Sequence, residues 1–589
     1  MTLQTGPNRT DTQVPIVAEI IRNALVSVAT EMKIDLMRSS YNPIIYEMLD
    51  FSVGIYGADG ETLAQAAGLP EFLCDMPNAI RSILADLGGA EHVAEGDVFL
   101  TNDPYTSSFH LNDVTVIEPV FFEGGLIGFA GARAHWHDLG GKSPGGSTDA
   151  TNVYEEGVLL RSIQLYSQGV LNESVIRVVR ENSRLPNAVV GDINAQVAAC
   201  RTGVTRLGEL VGRYGFDAFE RSIQLIMDLG EEQARAAVRA IPDGDYSAEG
   251  FVDNDGVELD RPLEVAVTVR VRASDIEFDL AGTAPPAKGP YNANRNMTNS
   301  ILRLAFKTLT TPKEPANEGH FRPVHAIIPE HCLLDAQRPS PTLLGFVPLE
   351  LLIDLVRKAL APAIPDGVTA ADYGRCTVMH AAGRSPRDGS FIIVADTEGG
   401  GWGAKPFEDG ESALLFGTQR VIPVEVLEHK YPVVLEQYTL RQDSGGAGKF
   451  RGGLGIVKDY RCTDTLHLLA AYERHDCPPW GLFGGKAAAP NTVVVKRVTG
   501  ERDEFRKATE YALEAGDIVS FRTAGGGGYA DPLERDPERV LADVIDGYVS
   551  RESALDYYGV VVAEDGAGVD LEATERIRAQ RADEAAAAY

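Results

Sequence analysis

The sequence predicts a multidomain α+β protein, and three observations carry that expectation. The chain has 589 residues, more than one domain holds at roughly 100–200 residues each. Apolar residues recur at helical spacing near the start and at strand spacing in the middle. Beyond Asp372 the chain is rich in glycine and β-formers, with little helical periodicity until Pro537. The expected order is an N-terminal mixed α/β domain bearing a candidate metal site (1–190) and a helical segment (191–243). A mixed β-meander and helical domain (244–370), a Gly-rich and mostly β domain (371–535) and a helical tail (536–589) follow.

Pro15 opens the first helix, because proline suits a first turn. Ile16, Ile20, Ala24 and Val28 recur every four residues beside Val17, Ile21 and Leu25, a wide apolar stripe running to about Met37. Phe51 to Gly60 reads as a strand closed by an Asp59-Gly60 turn, and Pro77 to Leu87 as a helix. Val114 to Phe122, then Glu123-Gly124-Gly125, then Leu126 to Ala130 read as a β-hairpin. Asp192 to Asp243 reads as two helices broken near Gly215. Gly244 to Leu280 reads as a β-meander in which Val265, Val267, Val269 and Val271 alternate with other residues. Helices are expected at Met297 to Leu309 and at Leu351 to Leu360. The glycine runs at 399–403, 445–446, 452–453 and 525–528 read as turns of a β domain; the alternative is amides presented to an anion.

The formal charge is −31, from 54 basic and 85 acidic residues. That argues against a nucleic-acid partner, whose phosphates need a basic footprint, and otherwise implies solubility. The six cysteines are scattered with no Cys-x-x-Cys pair, which fits a reducing cytoplasm and no structural zinc cluster. Met1 to Val14 is polar, and no run of about 18 apolar residues occurs, so neither a signal peptide nor a membrane-spanning helix is expected.

Chemistry concentrates around the hairpin. His110 and Asp113 precede its first strand; His135, His137 and Asp138 follow its second. In antiparallel strands those ends are neighbours, so His110, Asp113 and His135 form a candidate two-His, one-carboxylate metal set with open positions. Imidazole with carboxylate suits Zn, Mn, Fe or Co. In an extended segment His137 points with His135 and Trp136 points away, which makes His137 a further ligand or a group behind the ligands. His137 and Asp138 are spare ligands and the candidate catalytic pair. Asp50, just before an apolar strand, either completes the metal site or serves as a cap or salt bridge.

Other patterns fail on context. No Gly-x-x-x-x-Gly-Lys-Ser/Thr loop occurs, so ATP binding by this chain has little support. Ser143 lies in a Gly-x-Ser-x-Gly match, but Pro144 and Gly145-Gly146 read as a loop, not a strand-to-helix elbow. Asp253-Asn-Asp255-Gly256 lacks the later spacing of a calcium loop and reads as a hairpin turn.

A resemblance covers almost the whole chain. It rests on Glu47-Met-Leu-Asp50-Phe-Ser, Gly96-Asp-Val-Phe-Leu-Thr-Asn-Asp103-Pro-Tyr, His110-Leu-Asn-Asp113-Val-Thr-Val and Ala134-His-Trp-His-Asp-Leu-Gly-Gly141. It continues in Asn317-Glu-Gly319, Asp443-Ser-Gly-Gly-Ala-Gly-Lys449, Pro478-Pro-Trp-Gly-Leu-Phe-Gly-Gly485 and Thr523-Ala-Gly-Gly-Gly-Gly-Tyr529. With these the chain resembles the hydantoinase B/5-oxoprolinase family. The resemblance implies His110, Asp113 and His135 as ligands of a divalent transition metal, with Asp50 as the fourth. It implies a hetero-oligomer with a hydantoinase A-type ATPase subunit, which uses ATP to phosphorylate a cyclic amide (hydantoin, N-methylhydantoin, oxoproline, caprolactam or another lactam). The B-type subunit then adds water at its metal. The family's ketone carboxylases are the alternative, and a non-catalytic scaffold for the ATPase is a third reading. Many hydrolase members read His-His-x-Asp where this chain reads His135-Trp136-His137-Asp138, a departure that leaves the role of His137 open.

Overall fold

A computed structural model describes residues 14–587 apart from 73, 376, 564, 565 and 567. Cys376 and nearly all of the polar leader thus lie outside the described residues. Helix α1 (Val14–Ser39) and the short α2 (Pro43–Tyr46) lead into strands β1 (Phe51–Gly57) and β2 (Thr62–Gln65). Helix α3 (Met76–Leu87) precedes β3 (Val98–Thr101), β4 (Asp113–Phe122), β5 (Gly125–His135), β6 (Ile163–Ser167) and β7 (Val170–Leu171). These seven strands form one sheet, in the order β2-β1-β5-β4-β3-β6-β7. Helices α4 (Glu173–Asn182), α5 (Pro186–Tyr214) and α6 (Phe216–Arg239) follow.

The sheet buries Val53, Val114, Val116, Ala130, Ala132 and Ala134 in one core with α1 and α5. The face that α1 buries differs from the stripe expected at its start. Ile21, Leu25, Met32 and Leu36 are buried, whereas Ile16 and Ile20 are 64% and 45% exposed. The apolar stripe is wider than the contact, and the helix turns its first two isoleucines outward. Each fully buried side chain of this size contributes roughly 1.5–3 kcal/mol. The break near Gly215 is present, and α5 begins at Pro186, where proline again suits a first turn.

The expected meander is β8 (Gly244–Val252), β9 (Leu263–Arg272) and β10 (Asp275–Asp279). Its alternating valines, Val265 to Val271, are buried against α8 (Phe346–Leu360) in a second core that also holds α7 (Arg295–Thr310). A parallel strand, β11 (Val324–Ile327), extends this sheet beside β10. Asp253 and Asp255 accept backbone N–H donors from His475, Cys477, Val257 and Gly289, so they anchor the β8–β9 loop.

The remaining strands form a four-stranded and a five-stranded sheet over a third core, interrupted by helix α9 (Val424–Lys430), which has no counterpart in the sequence periodicity. The glycine runs correct an expectation. Gly525 to Gly528 are not left-handed turn residues; they are threaded between other chain segments. Gly526 donates to Gly453 O (3.0 Å), Gly446 to Gly526 O (2.8 Å) and Gly528 to Lys486 O (3.0 Å). A Cβ on Gly452 would fall into the Gly526 carbonyl, and one on Gly526 into that of Trp402. Peptide groups satisfy one another here because no side chain separates them.

Gly452→Ala should cost about 3 kcal/mol or more, whereas Gly208→Ala, on α5 with open space around it, should be neutral or stabilising. Thermal melting of the two variants tests the contrast.

Candidate metal site and its cavity

The site begins with register. Asp113 and His135 are directly opposed across β4 and β5, and Phe51 on β1 opposes Ala134. Side chains alternate across a sheet, so Asp113 and His135 share the face away from α1 and α5. Trp136 goes the other way, into the core, where its indole N–H donates to Gln196 Oε1 at 2.7 Å.

His110 comes from the loop between β3 and β4, which side chains bolt down. Asn102 donates to Leu111 O (2.7 Å) and accepts from Leu160 N (2.6 Å). Ser108 has φ 69; its N–H donates to Asp75 Oδ2 (2.9 Å) and its hydroxyl to Asp113 O (3.0 Å). Arg133, one pleat before His135, pairs with the same Asp75 carboxylate at 2.5 Å, both side chains being fully buried. Asp113 N–H donates to His110 O (3.2 Å), folding His110 back over the carboxylate.

His110 Nε2 lies 3.6 Å from Asp113 Oδ2, and His135 Nδ1 lies 3.3 Å from Asp113 Oδ1. The two rings meet edge to face, 4.9 Å between centroids. Among the described residues these three form the one group of three or more His, Cys, Asp or Glu whose potential ligand atoms all lie within 4.8 Å of one another. An ion with bonds of about 2.0–2.2 Å spans nearly that distance. Asp50 follows Leu49, which is held at φ 62, and its carbonyl accepts from His135 N–H at 3.2 Å. Asp50 Oδ1, Asp113 Oδ2 and His110 Nδ1 are buried without hydrogen-bond partners among the described residues. Orphaned buried polar atoms are costly, and two imidazoles with one carboxylate suit a divalent transition metal; Asp50, expected as the fourth ligand, stands outside that three-residue cluster.

Electrostatics agree with that reading. Burial pushes Asp50 up to about 6, against the pull of His135 and with a push from Asp113. Burial also disfavours a charged Asp113, but His110 and His135 outweigh it and hold the carboxyl below its usual range. Burial lowers His110 to about 4, against Asp113. For His135, burial is overcome by the Asp113 hydrogen bond and by the Asp50 and Asp113 charges, so its pKa rises.

All four residues line one cavity, with Phe72, Phe109, Leu344, Phe346 and Phe416 as apolar wall. Glu71, Glu350 and His380 also line it, and no motif spacing points to them. His380 Nδ1 meets Gly145 O at 2.9 Å. Burial, helped by the charge of His135, lowers its pKa to about 4. His137 lies behind, its ring 5.7 Å from that of His380 and its Nε2 buried without a partner among the described residues. Asp138 departs from its expected catalytic place: Arg184 takes Oδ1 through its guanidinium (2.7 Å) and Oδ2 through its backbone N–H (2.5 Å). The pair braces the entry to α5, and Asp138 does not line the cavity. Nor does Ser143.

The sequence matches the hydantoinase B/oxoprolinase family over residues 14–532. The chain belongs to that family. It is 32% identical to the B-type subunit of a putative D-/L-hydantoinase from Pseudomonas sp. (strain NS671), across 96% of this chain and 98% of that protein. The fold overlays the crystal structure of ATP-dependent caprolactamase from Pseudomonas jessenii with a TM-score of 0.90 and 31% identity. That match covers 97% of this chain and 100% of the other. A nucleotide-free acetone carboxylase overlays with a TM-score of 0.91 at 21% identity, covering 97% of this chain and 83% of that one. The caprolactamase and the acetone carboxylase thus share this chain's fold. Among the described residues no helix is long and apolar enough to cross a membrane.

Elemental analysis of the purified chain should find a divalent transition metal that is absent from a His110→Ala, Asp113→Ala double variant. Retention should fall as the pH drops, first as protons compete for His135, whose pKa is raised, and then through about 6 as they compete for the Asp50 carboxylate; dialysis across pH 5–8 reads this. Arg133→Ala strands a buried Asp75 carboxylate and should cost about 3–5 kcal/mol, measured by denaturant unfolding.

Proposed function

We propose that this chain is the metal-bearing subunit of an ATP-dependent amidohydrolase. Its substrate is a cyclic amide, whether a hydantoin, N-methylhydantoin, oxoproline, caprolactam or other lactam. A partner subunit of hydantoinase A type phosphorylates the amide oxygen first. The observation that carries this reading is the convergence of His110, Asp113 and His135, with Asp50 beside them on the wall of one mostly apolar cavity and with orphaned donor atoms. The family and the full-length likeness to a caprolactamase support the substrate class.

An amide carbon is a poor electrophile, and phosphorylating its oxygen makes that oxygen a good leaving group. His110, Asp113, His135 and Asp50 would hold a Zn, Mn, Fe or Co ion. Such an ion supplies Lewis acidity and lowers the pKa of water toward roughly 7. The chain's own residues do the rest. The phenylalanine wall excludes bulk water and orients a small ring. His380, whose Nδ1–H donates to the Gly145 carbonyl, keeps Nε2 as a proton acceptor, and burial keeps the ring neutral. His137 supports it from behind. At 21% identity the acetone carboxylase likeness speaks for fold alone, so the carboxylase reading stands second.

With its ATPase partner co-expressed, the chain should support ATP turnover that depends on a cyclic amide and needs no bicarbonate. The His110→Ala, Asp113→Ala variant should lose more than the about 10–100-fold typical of a change behind the ligands. A ketone substrate with strict bicarbonate dependence would replace this reading with carboxylation. Full activity of the double variant would leave only a scaffold.

A further inference from the structure

A second pair of acids lines the same cavity. Glu71, from the short helical turn Pro70–Phe72, and Glu350, from α8, are 6% and 2% exposed. Their carboxyl groups stand in hydrogen-bonding contact with each other. Glu71 Oε1 and Glu350 Oε1 are fully buried and find no other donor among the described residues. The nearby cation Arg375 is occupied: its guanidinium holds Asp354, Asp372 and the Glu350 backbone carbonyl. Two carboxylates in contact cannot both stay ionised in an apolar wall, so one proton lies between them. Burial raises Glu71 to about 7, and raises Glu350 well above the carboxylate range with Glu71 adding to it.

We propose that Glu71 and Glu350 form a proton-sharing dyad that protonates the ring nitrogen of the cyclic amide, and so decides whether the phosphorylated ring opens. This rests on the amidohydrolase reading above. Water adding to the carbon of an O-phosphorylated cyclic amide gives a tetrahedral carbon bearing hydroxyl, phosphate oxygen and ring nitrogen. Two bonds can then break. If the C–O(phosphate) bond breaks, the electron pair leaves on phosphate, the hydroxyl gives up its proton as the amide reforms, and the ATP is wasted. If the C–N bond breaks, the pair leaves on nitrogen, which needs a proton. The protonated carboxyl of the dyad gives that proton, and the ionised one takes the proton of the hydroxyl. The dyad is thereby restored. The product is an open-chain amine with an acyl phosphate, which a second water cleaves to carboxylate and phosphate. An amine is by far the poorer leaving group unless protonated, so the dyad selects the productive branch.

The experiment uses the complex with its ATPase partner and measures phosphate released per ring opened, in water enriched in ¹⁸O. The wild-type ratio should be near one, with little ¹⁸O in recovered substrate. Losing a general acid weakens a step by about 10²–10⁴-fold. Glu350→Gln and Glu71→Gln should therefore raise the ratio at least about tenfold and place ¹⁸O in the recovered amide carbonyl. Loss of packing alone lowers both branches together and leaves the ratio at one, which overturns the dyad. Should neither variant fold, the wild-type complex still decides. Deuterium oxide should raise its ratio, because both branches remove the hydroxyl proton but only the C–N branch also needs one delivered to nitrogen; an unchanged ratio overturns the proposal. If the wild type releases no phosphate in response to any cyclic amide, the amidohydrolase reading itself falls, and the dyad with it.

Discussion

The opposition of Asp113 and His135 across β4 and β5 is the constraint on which the site depends. A slip of one residue would send both side chains into the core on the other face. Three features pin the register. The Glu123–Gly125 turn closes the hairpin, and the valine and alanine face of the strands is buried against α1 and α5. On the opposite face Arg133, locked to Asp75, tolerates no slip because an unpaired guanidinium would be left in the interior. Asp75 also receives the Ser108 N–H, so one buried carboxylate ties the strand carrying His135 to the loop carrying His110.

Much of this was legible in the sequence, for physical reasons that can be named. The hairpin announced itself through two β-forming runs joined by a Gly-Gly turn, and its ends brought His110, Asp113 and His135 together without reference to any relative. Trp136 and His137 took the opposite sides that alternation requires. The valine ladder of β9 marked its sheet, and Gly215 marked the helix break. What stayed hidden was long-range. His380 and Glu350 carry no local signature, since their meaning comes from α8 and a C-terminal strand folding over the first sheet. Asp138 misled because adjacency to His137 suggested chemistry, while Arg184, far along the chain, had already claimed it. Ile16 and Ile20 belong to a helix whose contact face is narrower than its apolar face. The glycine runs misled through the commonest role of glycine. A run of four can turn, but it can also vanish sterically and let strands of backbone touch.

Family membership and geometry support each other without being the same statement. The likeness to a caprolactamase and a hydantoinase subunit fixes the fold and the class of relatives. The orphaned atoms of Asp50, Asp113 and His110 are a separate observation on this chain. They say that the polar cluster, taken alone, is electrostatically incomplete, which a merely structural triad would not be.

The cavity is assembled from three cores. The candidate ligand side chains are carried by the first sheet and the loops at its end; Phe72, Phe109 and Phe346 belong to the second core, Ile44 and Met48 to the third. Shape and holding are therefore inherited separately. Exchanging a few wall residues can resize the chamber while the donors stay where they are, and a single scaffold can diversify its chemistry by redecorating two of its three contributors.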